Sequence, residues 1–586
     1  VSRIAAVLAF LAVLMAAPRP AAPANAGGSI AIGPAAAAPV GDQASKPTDA
    51  SLTLLGTSEG LYRLGARGFV PLLSGTAIRR IEAGAAGVYV LCDEGILFSS
   101  DLARFERRDE GLPDRTIEAW DGRRASFSTE TRLTDLAVDP FDGLTLAACD
   151  DERAWLSRDG GRSWKPLGAP HSARSGLKAI AVSSKPRLTV YASHASLGLF
   201  YTEPESAPGA WRPRNSGLAR QDGASMVDEV SDISLAPGVA GGIETYELWV
   251  AQSFRDAVYR FDPRADSFKR VWGSGGAGGV ASLDSGAGAC YFVTELGTIS
   301  VPGNAPDPGM GALLASLADP RLGNPECLFD AGGRPFPVSL NELWQLFPPS
   351  RAMTGARRRH GLYLREGGGR TPSARAQAMG ELARLGLDMA VIDVKDERGT
   401  LRFSPRSPEL APFPVADEPL DLEAIRAGFA NVWLVARIPV FKDEALWREE
   451  GGKFAIRDSA TGLPWRATRK DGEGRDAPLD EYWVDPYCER AWERAVAVAR
   501  EAVDRGFDEV QFDYVRFPTD GGGMERADYS WRKEGMDRVS ALVSVLRHAN
   551  SRIDAPISID VFGLNGWYRS PGPTAQALER LAREVD

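Results

Sequence analysis

Histidine and cysteine are scarce in this 586-residue chain, with four of the first and five of the second. His171, His194, His360 and His548 lie far apart in sequence, which argues against a zinc site or a histidine-based triad. Cys92, Cys149, Cys290, Cys327 and Cys488 are odd in number, scattered and without metal-ligand spacing. A single disulfide stays open; a disulfide framework does not. No Gly-Lys-Ser/Thr phosphate loop is present, and the glycines between Arg365 and Arg370 lack the dinucleotide spacing. An excess of positive charge is missing too. The 68 Lys and Arg face 78 Asp and Glu, for a net charge of -10, which argues against nucleic acid as the main partner. With no cofactor or metal motif to carry it, chemistry in this chain must rest on carboxylates.

Long apolar runs are equally rare. The first is Ile4 to Ala17, behind Arg3 and ahead of Ala24-Asn25-Ala26, which reads as a secretory signal peptide over residues 1–26. It is too short to span a bilayer. The expected location is secreted or periplasmic, with no transmembrane segment in the mature chain. Residues 27–50, rich in Ala, Pro and Gly, read as a flexible linker.

Residues 51–303 carry short strands separated by turn residues. Gly60 to Arg63, Gly95 to Phe98, Ala154 to Ser157, Gly198 to Tyr201 and Ala257 to Arg260 share a loose plan. Their spacing is roughly the 40–45 residues of a propeller blade. Ser157 to Trp164 resembles the Asp-box of sialidase-like propellers, with Ser163 in place of the usual Thr, and Ser99 to Phe105 resembles a decayed copy. Such a box is a turn device, Asp159 capping the hairpin and Trp164 packing between strands. A β-propeller-like repeat domain is expected, with a pair of β-sandwiches as the alternative. Its role is binding or scaffolding, towards a protein or glycan partner. No arginine triad or tyrosine nucleophile of a sialidase is assignable. Residues 304–358 form a connector.

Residues 359–586 alternate strand and helix five times, which implies a parallel sheet. The strands carry charge towards their C-terminal ends, opposite an aliphatic stripe. Met389 to Lys395 sets Asp393 and Lys395 on one face; Val432 to Ile438 sets out Arg437; Glu509 to Tyr514 sets Gln511 and Asp513 against Val510 and Phe512; Ile557 to Val561 sets out Ser558 and Asp560. A buried carboxylate is costly unless paired, hydrated or used, so Asp513 is the first candidate for catalysis. Charge at strand C-termini is where a β/α barrel keeps its active site. A (β/α)8 barrel is therefore expected over an open doubly wound sheet. Only five strands fit before Asp586, so the barrel reads as C-terminally incomplete and the chain as a copy of part of a longer protein.

Five ordered blocks, Val391 to Asp396, Ala436 to Asp443, Trp483 to Tyr487, Gly506 to Pro518 and Ile559 to Gly563, resemble a group of secreted bacterial proteins. These carry glycoside hydrolase-like barrel domains of unknown function, distantly similar to the α-amylase superfamily. The resemblance implies a carboxylate nucleophile ending the fourth strand, at Asp513, and an acid ending the fifth, at Asp560. Related sugar hydrolases place the acid on the sixth strand instead. Glycoside hydrolysis needs two such carboxyl groups about the scissile bond. Asp393, Lys395 and Arg437 are expected to bind substrate or hold a carboxylate ionised. Asp513 paired structurally with Lys395 or Arg437, and Asp393 as a partner of Lys395, are the plainer alternatives. A carboxylate cluster holding Ca²⁺ or Mg²⁺ is another. Trp447, Trp465, Tyr482 and Trp483 lie on the long loop after the third strand, where Trp465 and Trp483 are expected as stacking platforms for sugar. The function read from the residues is thus a secreted glycoside hydrolase acting on a poly- or oligosaccharide. The alternative is a non-catalytic carbohydrate- or envelope-binding scaffold. Asp485-Pro486 is expected to open the helix that carries Trp492.

Overall fold

The computed structural model describes residues 54–302, strands at Ala312–Ser316, Glu326–Phe329 and Pro335–Val338, and residues 359–586, apart from short loop stretches. The expected signal peptide and linker, and most of the expected connector, lie outside the described residues. Among the described residues no helix is long and apolar enough to cross a membrane.

The N-terminal half is a succession of small antiparallel sheets, each closed by chain-neighbouring strands. Four-stranded sheets run from Ile78–Gly84 to Glu106–Arg107, Asp135–Val138 to Lys165–Gly168, Leu177–Ser183 to Arg212–Pro213, Asp232–Ala240 to Ser267–Gly273, and Ser282–Gly286 to Ala312–Ser316. A three-stranded sheet, Leu54–Gly56 to Gly68–Ser74, precedes them. Four of the five recurring segments fall on the third strand of a four-stranded sheet; the first falls on the middle strand of the three-stranded one. The first strands of successive sheets pack beside one another. There Arg80 reaches Asp135 of the next sheet at 3.6 Å and Asp232, two sheets further on, at 3.8 Å. This arrangement is propeller-like, not a sandwich of two large sheets. Asp159 holds its turn by accepting from the Ser163 N–H and hydroxyl, at 2.9 and 2.6 Å. The Trp164 indole donates to the Arg108 carbonyl at 2.8 Å.

The C-terminal half is a five-stranded parallel sheet whose strands lie in chain order. They are β1 (Gly361–Leu364), β2 (Met389–Asp393), β3 (Trp433–Pro439), β4 (Glu509–Asp513) and β5 (Ile557–Ile559). Helices α1 (Pro372–Leu385), α2 (Leu422–Gly428), α3 (Glu489–Asp504) and α4 (Arg538–Asn550) alternate with them. Thr371 caps α1 by accepting from Ala374 N–H, Pro372 opens it, and Gly386 at φ 66° closes it. Asp537 and Ser540 form a reciprocal capping box on α4. The expected start of the Trp492 helix is corrected. α3 begins at Glu489 because Asp485 is spent elsewhere, accepting from Tyr487 N–H and from Trp531 N–H across the chain, each at 3.0 Å. The helix faces and the outward residues of the strands, Ala390, Ile392, Leu434, Ala436, Val510 and Phe512, make one apolar core.

A hairpin not foreseen from the sequence, Asp114–Trp120 paired with Ala125–Thr131, leaves the N-terminal sheets and lies on α4. Ile117 is buried within the C-terminal core. Glu118 N–H donates to Ser544 Oγ at 3.0 Å and the Trp120 indole to Glu493 at 2.9 Å. Glu130 receives Arg580 at 2.7 Å and Arg547 at 3.0 Å. The two halves are thereby joined through buried charge and apolar contact.

Candidate active site

Alternation in a parallel strand sends every second side chain to the face away from the helices. On that face stand Tyr363 from β1, Asp393 from β2, Arg437 from β3, and Glu509, Gln511 and Asp513 from β4. Ser558 from β5 joins them, and Asp560 follows directly after the strand. Asp560 is registered by its own N–H donating to the Phe512 carbonyl at 2.9 Å. At the C-terminal ends of the strands one guanidinium gathers three carboxylates. Arg437 Nη1 donates to Asp393 Oδ1 at 2.8 Å, Nη2 to Asp513 Oδ2, and Nε to Asp560 Oδ2 at 3.2 Å. Tyr363 donates its hydroxyl to the other oxygen of Asp393 at 2.5 Å, and its ring lies 5.4 Å from the guanidinium.

One cation among three anions leaves a surplus of negative charge. Burial, and then the neighbouring charge of Asp560, raise the Asp513 carboxyl above its ordinary value despite Arg437. Burial likewise raises Asp560, with Arg437 opposing and Asp393 assisting. Burial and the bond to Asp393 push the Tyr363 hydroxyl to about 12. The two raised carboxyls differ in their donors. Asp513 is held on both oxygens, by Arg437 and by the Tyr514 N–H at 2.6 Å; Asp560 has the longer arginine contact and is the more exposed. Among the described residues no group of three or more His, Cys, Asp or Glu side chains is arranged to hold a metal ion.

Asp393, Arg437, Asp513 and Asp560 are thus brought together; the other expected residues are not. Lys395 is 1% exposed and donates to the Pro439 carbonyl at 2.8 Å and to Asp443 at 2.9 Å. Arg494 shares that carboxylate at 3.2 Å. The reason is that β2 ends at Asp393, so strand alternation does not extend to Lys395. Trp465 and Trp483 are 1% and 0% exposed and offer no open ring face to a sugar. The long loop folds inwards: the Trp465 indole donates to the Gly523 carbonyl at 3.0 Å, and Trp483 packs edge-on against Tyr514. Tyr363 and Glu509 escaped the sequence reading although alternation alone places both on the carboxylate face. Gln576 escaped it too. Its buried amide donates to the carbonyls of Asp560 at 3.1 Å and Val515 at 3.2 Å, fastening the loop after β4 to the end of β5.

No curated protein matches the chain. Among solved structures it is similar to a hypothetical protein from Ruminiclostridium thermocellum, at 24% identity over 35% of this chain and 97% of that one, with a TM-score of 0.29. The extracellular domain of BT4673 from B. thetaiotaomicron is similar at 14% identity and TM-score 0.36, over 49% of this chain; the chain spans 36% of that relative's length. An ancestral GH74 enzyme is similar at 12% identity and TM-score 0.32, over 45% of this chain and 39% of that one. Residues 361–586, the segment that holds every side chain of the Arg437 cluster, match the family described as "Putative glycosyl hydrolase domain".

Proposed function

We propose that the C-terminal half is a glycoside hydrolase of the β/α-barrel kind, acting outside the cytoplasm on an oligo- or polysaccharide, with Asp513 as nucleophile and Asp560 as acid. The observation that carries this reading is the pair of raised carboxyls on adjacent parallel strands, joined by one arginine. Two carboxyl groups flanking a glycosidic bond are the minimal machinery for its hydrolysis. Their environments divide the labour. Asp513, with a donor on each oxygen, is the one kept as carboxylate; Asp560, with a single longer contact, is the one that holds a proton to give the leaving oxygen. Adjacent strands lie about 4.8 Å apart, close to the roughly 5–5.5 Å of a retaining pair. Asp393 and Tyr363 supply hydroxyl-binding groups beside them.

Asp560→Asn separates the two roles. It is expected to lose hydrolysis of unactivated glycosides while keeping that of dinitrophenyl glycosides, whose leaving group needs no proton. Asp513→Asn is expected to lose both. Equal loss of both substrate classes in Asp560→Asn contradicts the acid assignment.

A second reading has its own support. Arg437 binds all three carboxylates in a closed set, which also suits a glycan-binding scaffold without turnover. Retained glycan binding with no hydrolysis by the wild type selects it. In either case the propeller-like half is the part that docks a polysaccharide or partner.

A further inference from the structure

We infer that Tyr514 is the positioning residue of Asp513, and that Glu397 and Lys442 hold it in place. The inference rests on the hydrolase reading for its catalytic meaning, though not for its geometry. Tyr514 follows the last residue of β4 and adopts φ 54°, a left-handed conformation that side chains larger than glycine seldom take. Such a residue persists only where its surroundings determine it. The turn has a direct product: the Tyr514 N–H points back and donates to Asp513 Oδ1 at 2.6 Å. Arg437 takes the other oxygen, so the carboxylate is fixed at both ends.

The side chain supplies the determination. Its hydroxyl donates to Glu397 Oε1 at 2.7 Å, on the loop after β2. Lys442, on the loop after β3, meets Glu397 Oε2 at 2.7 Å and lies 4.9 Å from the Tyr514 ring centre. Burial opposes the Glu397 charge, but the bonds from Lys442 and Tyr514 outweigh it and lower the carboxyl. Trp483 closes the edge of the ring at 5.8 Å, and the Arg516 guanidinium lies 5.4 Å away. Three loops from three successive strands therefore converge on one strained residue, whose backbone aims the carboxylate.

Asp560, Arg437 and Glu397 are the charged groups that act most on Asp513, and Asp393 shares the Arg437 guanidinium with it. A test must separate the charge of Glu397 from its service as hydroxyl acceptor. Glu397→Ala and Glu397→Gln both remove the charge, and only Gln keeps an acceptor. The readout is the Asp513 carboxyl titration by carbon NMR of aspartate-labelled full-length protein, with Asp513→Asn identifying the signal. Freeing the Tyr514 N–H weakens a bond to the ionised form, so the midpoint should rise by about half a pH unit in Tyr514→Phe. The same rise should separate Glu397→Ala from Glu397→Gln. In glycoside hydrolysis kcat should fall about tenfold in Tyr514→Phe with KM little changed. Unchanged titration in Tyr514→Phe, or equal midpoints in the two Glu397 variants, overturns the inference. Titration shifts without any wild-type turnover leave the positioning intact and defeat the hydrolase reading. Turnover without the shifts does the reverse.

Discussion

Asp513 and Asp560 bind a proton more tightly in the folded chain than an unfolded aspartate would, because burial and like charge raise them. By linkage their contribution to stability is full at low pH and is lost as pH rises through the raised folded values. Asp513→Asn should therefore stabilise the protein near neutral pH, seen as a raised melting temperature. The gain should vanish on acidification, as thermal denaturation across pH will show. Trp465 carries the opposite expectation. It fills the core with its indole bonded, so Trp465→Ala should cost about 3–5 kcal/mol in chemical denaturation, and glycan affinity measured on folded Trp465→Phe should not change. The four clustered residues were legible because alternation in a strand is strict. Lys395 lies away from the cluster because β2 ends two residues before it, at Asp393, and its ammonium pairs with Asp443 instead. Glu397 and Lys442 were not legible, since loop residues have no period to place them.

Elements were easier to find than to bound. The aliphatic stripes of β2 to β5 announce buried strands, and the order of the sheet follows from strand and helix alternating. Thr371-Pro372 marks the start of α1 by chemistry local to the turn. Thr371→Ala should cost about 1 kcal/mol in chemical denaturation, with the Asp513 titration unmoved. Asp485-Pro486 offers the same signature and is not a helix start. Both oxygens of Asp485 accept backbone N–H groups, one of them from Trp531 in the loop before α4. A residue recruited by a distant segment cannot be distinguished from a cap by its neighbours in sequence.

At the scale of the whole molecule the decisive contacts are the least visible in sequence. Glu130 and Arg580 are 450 residues apart and both nearly buried, yet they bond at 2.7 Å. Burial opposes the charge on Glu130, but Arg580 and Arg547 outweigh it and lower the carboxyl. Its contribution to stability is therefore present above the usual glutamate pKa and lost as pH falls through the lowered folded value. Glu130→Ala strands Arg580 and Arg547 beside Glu584 and should cost about 3 kcal/mol. The loss should appear first as faster amide exchange in α4 and the 114–131 hairpin. The proposed hydrolysis of glycosides falls to the Arg437 cluster. The most direct measurement is turnover of a panel of polysaccharides and aryl glycosides by the full chain, wild type beside Asp513→Asn. Turnover by the wild type should disappear in a folded Asp513→Asn; turnover that survives the substitution rules out Asp513 as the nucleophile.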